Sequence, residues 1–187
     1  MSKTDRSILL DRDGVITAVN PDGVKKPEEV LVLPFSAQAF YELAQYKVKP
    51  YVIVHEPLVG EGKMTEAELK AVHARLVEIV RQEFEEIDLG EFVTATLPDG
   101  PATPSAKIKA GLLRKLARDR GVNLAETYYI GDEESDMDAA QEVGCKFCLV
   151  RSGRGFRTVK RVAVTGKTPD LICRDLLSAV IKIYKGG

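Results

Sequence analysis

Short apolar runs alternate with amphipathic segments along the chain, and this alternation constrains the fold more than any single motif does. The apolar runs predict strands at residues 7–10, 49–54, 91–96, 127–130, 146–150 and 171–173. The segments between them predict helices at residues 36–45, 65–86, 105–120, 135–143 and 175–184. Residues 154–169 are polar and poorly patterned, so we expect a loop there. Because strands that alternate with helices form parallel sheets with helices on both faces, we predict a three-layer, Rossmann-like α/β fold.

The bulk composition narrows the classes of partner. A length of 187 residues predicts a single domain that spans residues 1–187. The 27 basic and 28 acidic residues nearly cancel, so we expect no nucleic-acid or membrane surface that depends on bulk charge. No apolar run approaches the ~18 residues of a transmembrane helix. No signal peptide is visible either, and we therefore expect a cytoplasmic protein.

Two carboxylates follow the first predicted strand. Asp11 and Asp13 are separated by one residue and are followed by Gly14. On an extended chain, side chains at this spacing point the same way, and the carboxyl ends of parallel strands are where open α/β sheets bind ligands. Such a pair suits a divalent cation, and one carboxylate could attack phosphorus as a nucleophile. A simple turn explains this short motif equally well.

A second acidic cluster follows the fourth predicted strand. Asp132 comes directly after that strand, and Asp136 lies in the first turn of the next helix. Acidic residues favour a helix N-terminus, which explains the cluster's other carboxylates without any site. In a parallel sheet, however, Asp132 and Asp136 would meet Asp11 and Asp13 at one edge and repel them unless a hard cation intervened. The two clusters together therefore predict a Mg²⁺ site.

A lysine precedes the second cluster. Lys107 lies in the first turn of the helix predicted at residues 105–120, where it could reach a phosphate oxygen near the helix N-terminus. Lys109 is the alternative if the register differs by two residues. A helical lysine is usually a surface residue, so this prediction depends on the motifs around it.

Taken together, the motifs around Asp11 and Asp132 resemble the haloacid dehalogenase (HAD) superfamily. The greater similarity is to its heptose-bisphosphate and histidinol-phosphate phosphatase group. The resemblance extends to residues 24–34, 151–155 and 169–180, and so covers nearly the whole chain. The spacing between motifs leaves room for a helix, a strand and loops, but not for a separate cap domain. We therefore expect a capless HAD fold with an open site.

The resemblance implies a Mg²⁺-dependent phosphatase that acts on a small phosphorylated metabolite. Asp11 would be the nucleophile that forms an aspartyl-phosphate. Asp13 would protonate the leaving oxygen and then activate water. Lys107 would neutralise charge on the transferring phosphoryl group.

The resemblance also implies ligands for the metal and for the substrate. Asp11, Asp132 and the backbone carbonyl of Asp13 would hold Mg²⁺. Asp136 would support that site indirectly or through water. His55 and Arg154 are the candidate substrate-binding residues.

Three features depart from the family pattern. Val54 and the residues after it, Val54-His55-Glu56, stand where relatives carry Thr-Asn-Gln, so the hydroxyl that bonds a phosphoryl oxygen is missing. Residues 107–111 keep a lysine and a glycine but lack two prolines. The cysteines that bind zinc in many relatives are absent from residues 92–107, so we expect no zinc. A catalytically impaired protein that binds a phosphorylated ligand or a protein partner is therefore the alternative, and a homo-oligomer stays open.

Overall fold

The computed structural model of the protein describes residues 6–85 and 87–185. Within them, six parallel strands form one sheet in the order β3-β2-β1-β4-β5-β6. The strands are β1 (Ser7–Asp11), β2 (Lys49–His55), β3 (Glu91–Ala95), β4 (Tyr128–Gly131), β5 (Lys146–Val150) and β6 (Leu171–Cys173). The chain builds one half of the sheet outward from β1 and then returns to place β4 on the other side of β1. The carboxyl ends of β1 and β4 therefore lie side by side, with Leu10 opposite Ile130, at a switch point of the topology.

Helices cover both faces of the sheet. They are α1 (Ser36–Gln45), α2 (Pro57–Gly60), α3 (Glu66–Glu83), α4 (Ser105–Arg120), α5 (Glu134–Glu142), α6 (Gly155–Thr165) and α7 (Leu176–Tyr184). Apolar residues of α1, α3 and α7 form a core on one face, and those of α4, α5 and α6 form a second core on the other. The predicted three-layer α/β fold is confirmed.

The strands are buried on both faces because helices cover each side of the sheet. Ile8, Leu9 and Leu10 of β1 are all fully buried, and β2 is buried from Pro50 to Val54. Continuous apolar runs of this kind are typical of parallel sheets. Among the described residues no separate cap domain interrupts the fold, so the carboxyl edge of the sheet stays open. None of the described helices is both long enough and apolar enough to span a bilayer.

The helix α6 corrects the expectation of a loop at residues 154–169. Its buried residues are Gly155, Thr158 and Val162, which follow a helical spacing. Val159 and Val162 mark the side of α6 that packs on the second core. The basic residues Arg157, Lys160 and Arg161 around them make the segment polar on average, which favoured the loop. The predicted helix at residues 65–86 is shorter in the structure and ends at Glu83; its predicted last residue, Glu86, lies outside the described residues.

Candidate active site

Three aspartates from different parts of the chain converge at the carboxyl edge of the sheet. Asp11 ends β1, Asp132 follows β4, and Asp136 lies in the first turn of α5. One carboxylate oxygen from each lies within 4.8 Å of the others, and all three residues are buried. Adjacent strand ends therefore bring the two predicted acidic clusters together.

The lysine that joins this cluster is Lys109, whereas Lys107 is exposed on the surface of α4. Lys109 Nζ lies 2.5 Å from Asp136 Oδ1 and 3.7 Å from Asp11 Oδ1. Because successive residues of a helix are rotated by ~100°, positions 107 and 109 point to nearly opposite sides. Lys109 shares the buried side of α4 with Leu112, Leu113 and Leu116, a spacing that the sequence already contained. Lys107 lies in the first turn of α4 as predicted but points away from the acidic cluster, and the alternative, Lys109, contacts it; the catalytic role stays a prediction.

The acidic side chains and Lys109 shift one another's pKa values because they are close together and buried. Burial raises the pKa of Asp11 well above its ordinary value, and its carboxylate neighbours raise it further against the opposing charge of Lys109. Burial and the charge of Asp136 raise the pKa of Asp132 to about 7. Burial alone would lower the pKa of Lys109, but the charges of Asp11 and Asp136 outweigh it and raise that pKa. One ammonium group does not balance the cluster, so a further cation would stabilise its ionised form.

The donor set fits Mg²⁺. Asp132 Oδ1 is buried and has no hydrogen-bond partner, and hard oxygen atoms of this kind are the ligands that Mg²⁺ prefers. The other oxygen, Oδ2, accepts a 2.6 Å hydrogen bond from the backbone N–H of Arg154, which fixes the orientation of the carboxylate. Asp136 is already engaged, since it accepts hydrogen bonds from Lys109, from the Tyr129 hydroxyl and from the Glu133 amide. Asp11 and Asp132 are thus the side chains available to the metal.

Two glycines, Gly14 and Gly153, leave room for the Asp132 carboxylate because they have no Cβ. Gly14 has φ +86°, a region that favours glycine, and a Cβ there would collide with the Asp132 carboxylate. A Cβ at Gly153 would collide with the same carboxylate and with Gly14. The Ser152 hydroxyl donates a 2.7 Å hydrogen bond to the Gly14 carbonyl and so ties the loop after β5 to the loop after β1.

Asp13 lies beside Asp11 at the carboxyl edge of the sheet, and hydrogen bonds hold both oxygens of its carboxylate. Arg12 donates to Oδ2 through Nη2 and Nε at 2.6 and 3.0 Å, and the Thr17 hydroxyl donates to Oδ1 at 2.9 Å. Burial alone would raise the pKa of Asp13, but Arg12 and Thr17 together hold it below its ordinary value. The residue is therefore ionised and oriented in this state.

The two predicted substrate-binding residues, His55 and Arg154, line one cavity with Asp11 and Asp13. His55 Nε2 donates to the Leu97 carbonyl at 2.7 Å, and Nδ1 lies 3.0 Å from the Ser105 hydroxyl, so the protein engages both ring nitrogens. The Arg154 guanidinium is about half exposed and lies 3.2 Å from Glu133. A cavity of about 590 Å³ is lined by residues that include Asp11, Asp13, Val54, His55, Lys109 and Arg154. The structure brings both predicted residues to this cavity, and their substrate roles stay predictions.

Comparison with known proteins places the chain in one family. The HAD-hydrolase-like family model matches residues 105–179. The D-glycero-β-D-manno-heptose-1,7-bisphosphate 7-phosphatase of Pseudomonas aeruginosa is 34% identical over 171 residues, which cover 90% of this chain and 92% of that protein. The corresponding phosphatase of Bordetella bronchiseptica is 32% identical over 95% of this chain and 97% of its own length. The chain belongs to the heptose-bisphosphate phosphatase family of HAD-like hydrolases.

A solved structure of this phosphatase family supports the metal site. The D,D-heptose 1,7-bisphosphate phosphatase of B. bronchiseptica, complexed with magnesium and phosphate, superposes with a TM-score of 0.86 at 27% identity. The match covers 97% of this chain and 99% of that chain. The predicted family, the HAD fold and the Mg²⁺ cofactor are confirmed at this level, and the roles of individual residues stay predictions.

Three residues that contact Asp13 directly or through Arg12 were not predicted from the sequence. Arg12 and Glu56 are buried and His73 is partly buried around Asp13, and nothing in the local sequence indicates which residues pair with Arg12. Glu56 lies 44 residues from Arg12, and His73 lies 61 residues from it. The sequence does show that Arg12 stands between two aspartates at the end of a buried strand. Because a buried cation needs anionic partners, this position indicates that Arg12 has partners elsewhere in the chain.

Proposed function

We propose that this protein is a Mg²⁺-dependent phosphatase that hydrolyses a small phosphorylated sugar through an aspartyl-phosphate on Asp11. One observation carries the proposal. Asp11, Asp132 and a buried lysine, Lys109, lie together at the carboxyl edge of the sheet, and the Asp132 carboxylate keeps an unpartnered oxygen. This arrangement offers a nucleophile, metal ligands and a cation to one phosphoryl group.

The chemistry divides into two displacements at phosphorus. In the first, an oxygen of Asp11 forms a bond to phosphorus while the ester oxygen of the sugar leaves and takes a proton from Asp13. The arriving phosphoryl group brings negative charge beside Asp13, and this charge favours the protonated carboxyl that the step needs. In the second, water attacks phosphorus, Asp13 takes the proton of that water, and phosphate leaves while the Asp11 carboxylate is regenerated.

The remaining groups position and neutralise charge. Lys109 lies against Asp11 and offers its ammonium group to an oxygen of the transferring group. Asp136 holds Lys109 in place through the 2.5 Å contact. Mg²⁺, held by Asp11, Asp132 and the Asp13 carbonyl, supplies further charge neutralisation when bound.

The substrate class follows from the cavity and from the relatives. A cavity of about 590 Å³ accommodates a monosaccharide that carries phosphate, and several polar residues line it. The relatives are named for heptose 1,7-bisphosphate, so that compound is the first candidate for this chain. Cytoplasmic localisation and a homo-oligomer remain predictions from the sequence.

Phosphate release tests the proposal. The wild type is assayed on a panel of sugar phosphates and bisphosphates, histidinol phosphate and aryl phosphates, with Mg²⁺ or with EDTA, beside Asp11→Asn. We expect release that requires Mg²⁺ and that Asp11→Asn abolishes. Release that persists in Asp11→Asn at the wild-type rate would contradict the assigned nucleophile.

A second candidate function rests on Val54. Its side chain is buried at the end of β2 and offers no hydrogen-bond donor at the position where relatives carry a hydroxyl. The neighbouring imidazole of His55 is engaged by Leu97 and Ser105. A protein that binds a phosphorylated ligand with little turnover fits these two facts. It would bind phosphate with Mg²⁺ yet release none from the panel.

A further inference from the structure

Arg12 is a buried cation that lies between the two aspartates assigned to chemistry. Its exposed fraction is 2%, so its charge requires compensation within the protein. On one side it binds Asp13, at 2.6 Å through Nη2 and at 3.0 Å through Nε. On the other side the same Nη2 donates to Glu56 Oε2 at 2.9 Å, and Nη1 lies 3.3 Å from His73 Nε2. These four residues are called the Arg12 cluster below.

The cluster is fixed by three separate elements of the fold. Glu56 directly follows β2 and is 4% exposed, and His73 projects from α3. The His73 ring stacks on Phe92 of β3, with centroids 4.2 Å apart and an interplanar angle of 19°. A guanidinium group only donates, so His73 Nε2 accepts, which requires a neutral ring. Burial, aided by the charge of Arg12, lowers the pKa of His73 to about 4 and keeps it in that form.

These contacts restrict how Asp13 can lie. Thr17 holds one carboxylate oxygen and Arg12 holds the other, while 31% of the Asp13 side chain stays exposed to the cavity. If Glu56 or His73 is changed, the guanidinium loses a partner on its far side and can shift. Such a shift would move the carboxylate with it, because Arg12 and Asp13 share two hydrogen bonds.

We propose that Glu56 and His73 act through Arg12 as positioning residues that aim Asp13 at the leaving group of the substrate. The inference rests on the proposed function, because it gives Asp13 the role of general acid. It has a specific consequence. A misplaced acid matters most when the leaving oxygen is basic and needs a proton, and least when that oxygen leaves readily as an anion.

The leaving-group dependence of kcat/KM tests this inference. The substrates are aryl phosphates from p-nitrophenyl phosphate, whose phenol is acidic, to phenyl phosphate, whose phenol is weakly acidic. This parameter covers the steps up to departure of the alcohol, and so reports Asp13 as an acid without the later hydrolysis. Glu56→Leu removes both the charge and the acceptor on Arg12's far side, and His73→Phe keeps a ring against Phe92 while it removes the acceptor. Glu61→Leu, outside the cavity, is the control of equal charge change.

For each cluster variant we expect kcat/KM on phenyl phosphate to fall by roughly 10- to 100-fold, since general acid catalysis contributes about 10²–10⁴. On p-nitrophenyl phosphate we expect a fall of less than about threefold, which also shows that the variant is folded. Glu61→Leu should match the wild type on both. An equal loss on all substrates, or no loss on any, would overturn the inference. The proposed function fails separately, if wild type and Asp11→Asn release phosphate from p-nitrophenyl phosphate at the same rate.

Discussion

The ammonium of Lys109 lies 2.5 Å from Oδ1 of Asp136, and this contact holds the lysine beside Asp11. The Tyr129 hydroxyl donates to the same Asp136 oxygen at 3.0 Å. Asp136 is therefore an anchor for the lysine as well as a member of the acidic cluster. The buried pair joins α4 to α5 at the edge of the sheet where the strands end.

Lys109→Met should abolish most activity and also destabilise the fold. We expect kcat/KM to fall by roughly 10²–10³, as it does when one preorganised donor is removed from an active site. Loss of one partner from a buried ion pair leaves Asp136 charged and uncompensated, which costs about 3–5 kcal/mol of unfolding free energy. Lys107→Met is the matched control, since that residue is exposed on the same helix. Phosphate release and urea unfolding check both; equal losses in the two variants would contradict the placement of Lys109.

Mg²⁺ should stabilise the protein more at high pH than at low pH. The pKa of Asp132 is raised to about 7 from an ordinary value of 3.8. Between pH 3.8 and about 7, folding without metal is therefore accompanied by uptake of a proton. Stability from this group is therefore lost as pH rises through that window. Mg²⁺ needs the ionised carboxylate and offsets this loss, so its effect grows as the proton leaves.

Thermal melting at pH 5 to 8, with Mg²⁺ or EDTA, measures this linkage. Mg²⁺ at about 100 times its Kd adds about 2.7 kcal/mol, or roughly 5–10 °C for a chain of this length. We expect that gain at pH 8 and a much smaller one at pH 5. Asp132→Asn should melt higher than the wild type in EDTA at pH 8 and show little response to Mg²⁺. A wild-type Mg²⁺ shift that is the same at every pH would contradict the assigned ligand.

Gly14→Ala should damage the metal site beyond the usual effect of a side chain at positive φ. A Cβ at Gly14 would meet the Asp132 carboxylate, whereas at Gly62, with φ +70°, it would meet open space. The strain of placing alanine in this backbone region costs on the order of 1–3 kcal/mol at both positions. Only Gly14→Ala should also lose the Mg²⁺-dependent rise in melting temperature. If both variants keep that rise, the close approach of Gly14 to Asp132 does not shape the site.

The order of elements and the position of the site were predictable from the sequence. Buried strands appear as continuous apolar runs; β1 ends in Asp11 and β4 is followed by Asp132, and these aspartates mark the ligand edge of a parallel sheet. The apolar runs located the strands, since the predicted strand bounds agree with the structure to within about one residue.

Two features were present in the local pattern but were not recognised, and a third depends on contacts between distant residues. The helix α6 was missed because Arg157, Lys160 and Arg161 make its sequence polar, although Val159 and Val162 mark its buried side. Lys107 was preferred to Lys109 because it lies in the first turn of α4, near the helix N-terminus, although the spacing of Lys109 from the buried leucines of α4 pointed the other way. The contact of Arg12 with Glu56 joins residues 44 positions apart, and no local rule reveals it.

Val54→Thr should raise activity by supplying the missing donor. Valine and threonine have nearly the same shape, so the hydroxyl can be introduced at the end of β2 without enlarging the side chain. We expect kcat/KM to rise roughly 10- to 100-fold, because one preorganised donor is worth about 10²–10³ where it is well placed. Val54 is 2% exposed, so the new hydroxyl should lower the free energy of unfolding by about 1–3 kcal/mol in the absence of substrate.

Val52→Thr is the control for Val54→Thr, because Val52 lies two residues earlier on the same side of β2 and is fully buried. It should lose stability in the same way and gain no activity. If the wild type binds phosphate but hydrolyses no substrate, and Val54→Thr releases phosphate from the substrate panel, the native protein is the impaired form. A variant that stays folded, responds to Mg²⁺ and gains nothing would show that the hydroxyl does not limit this active site.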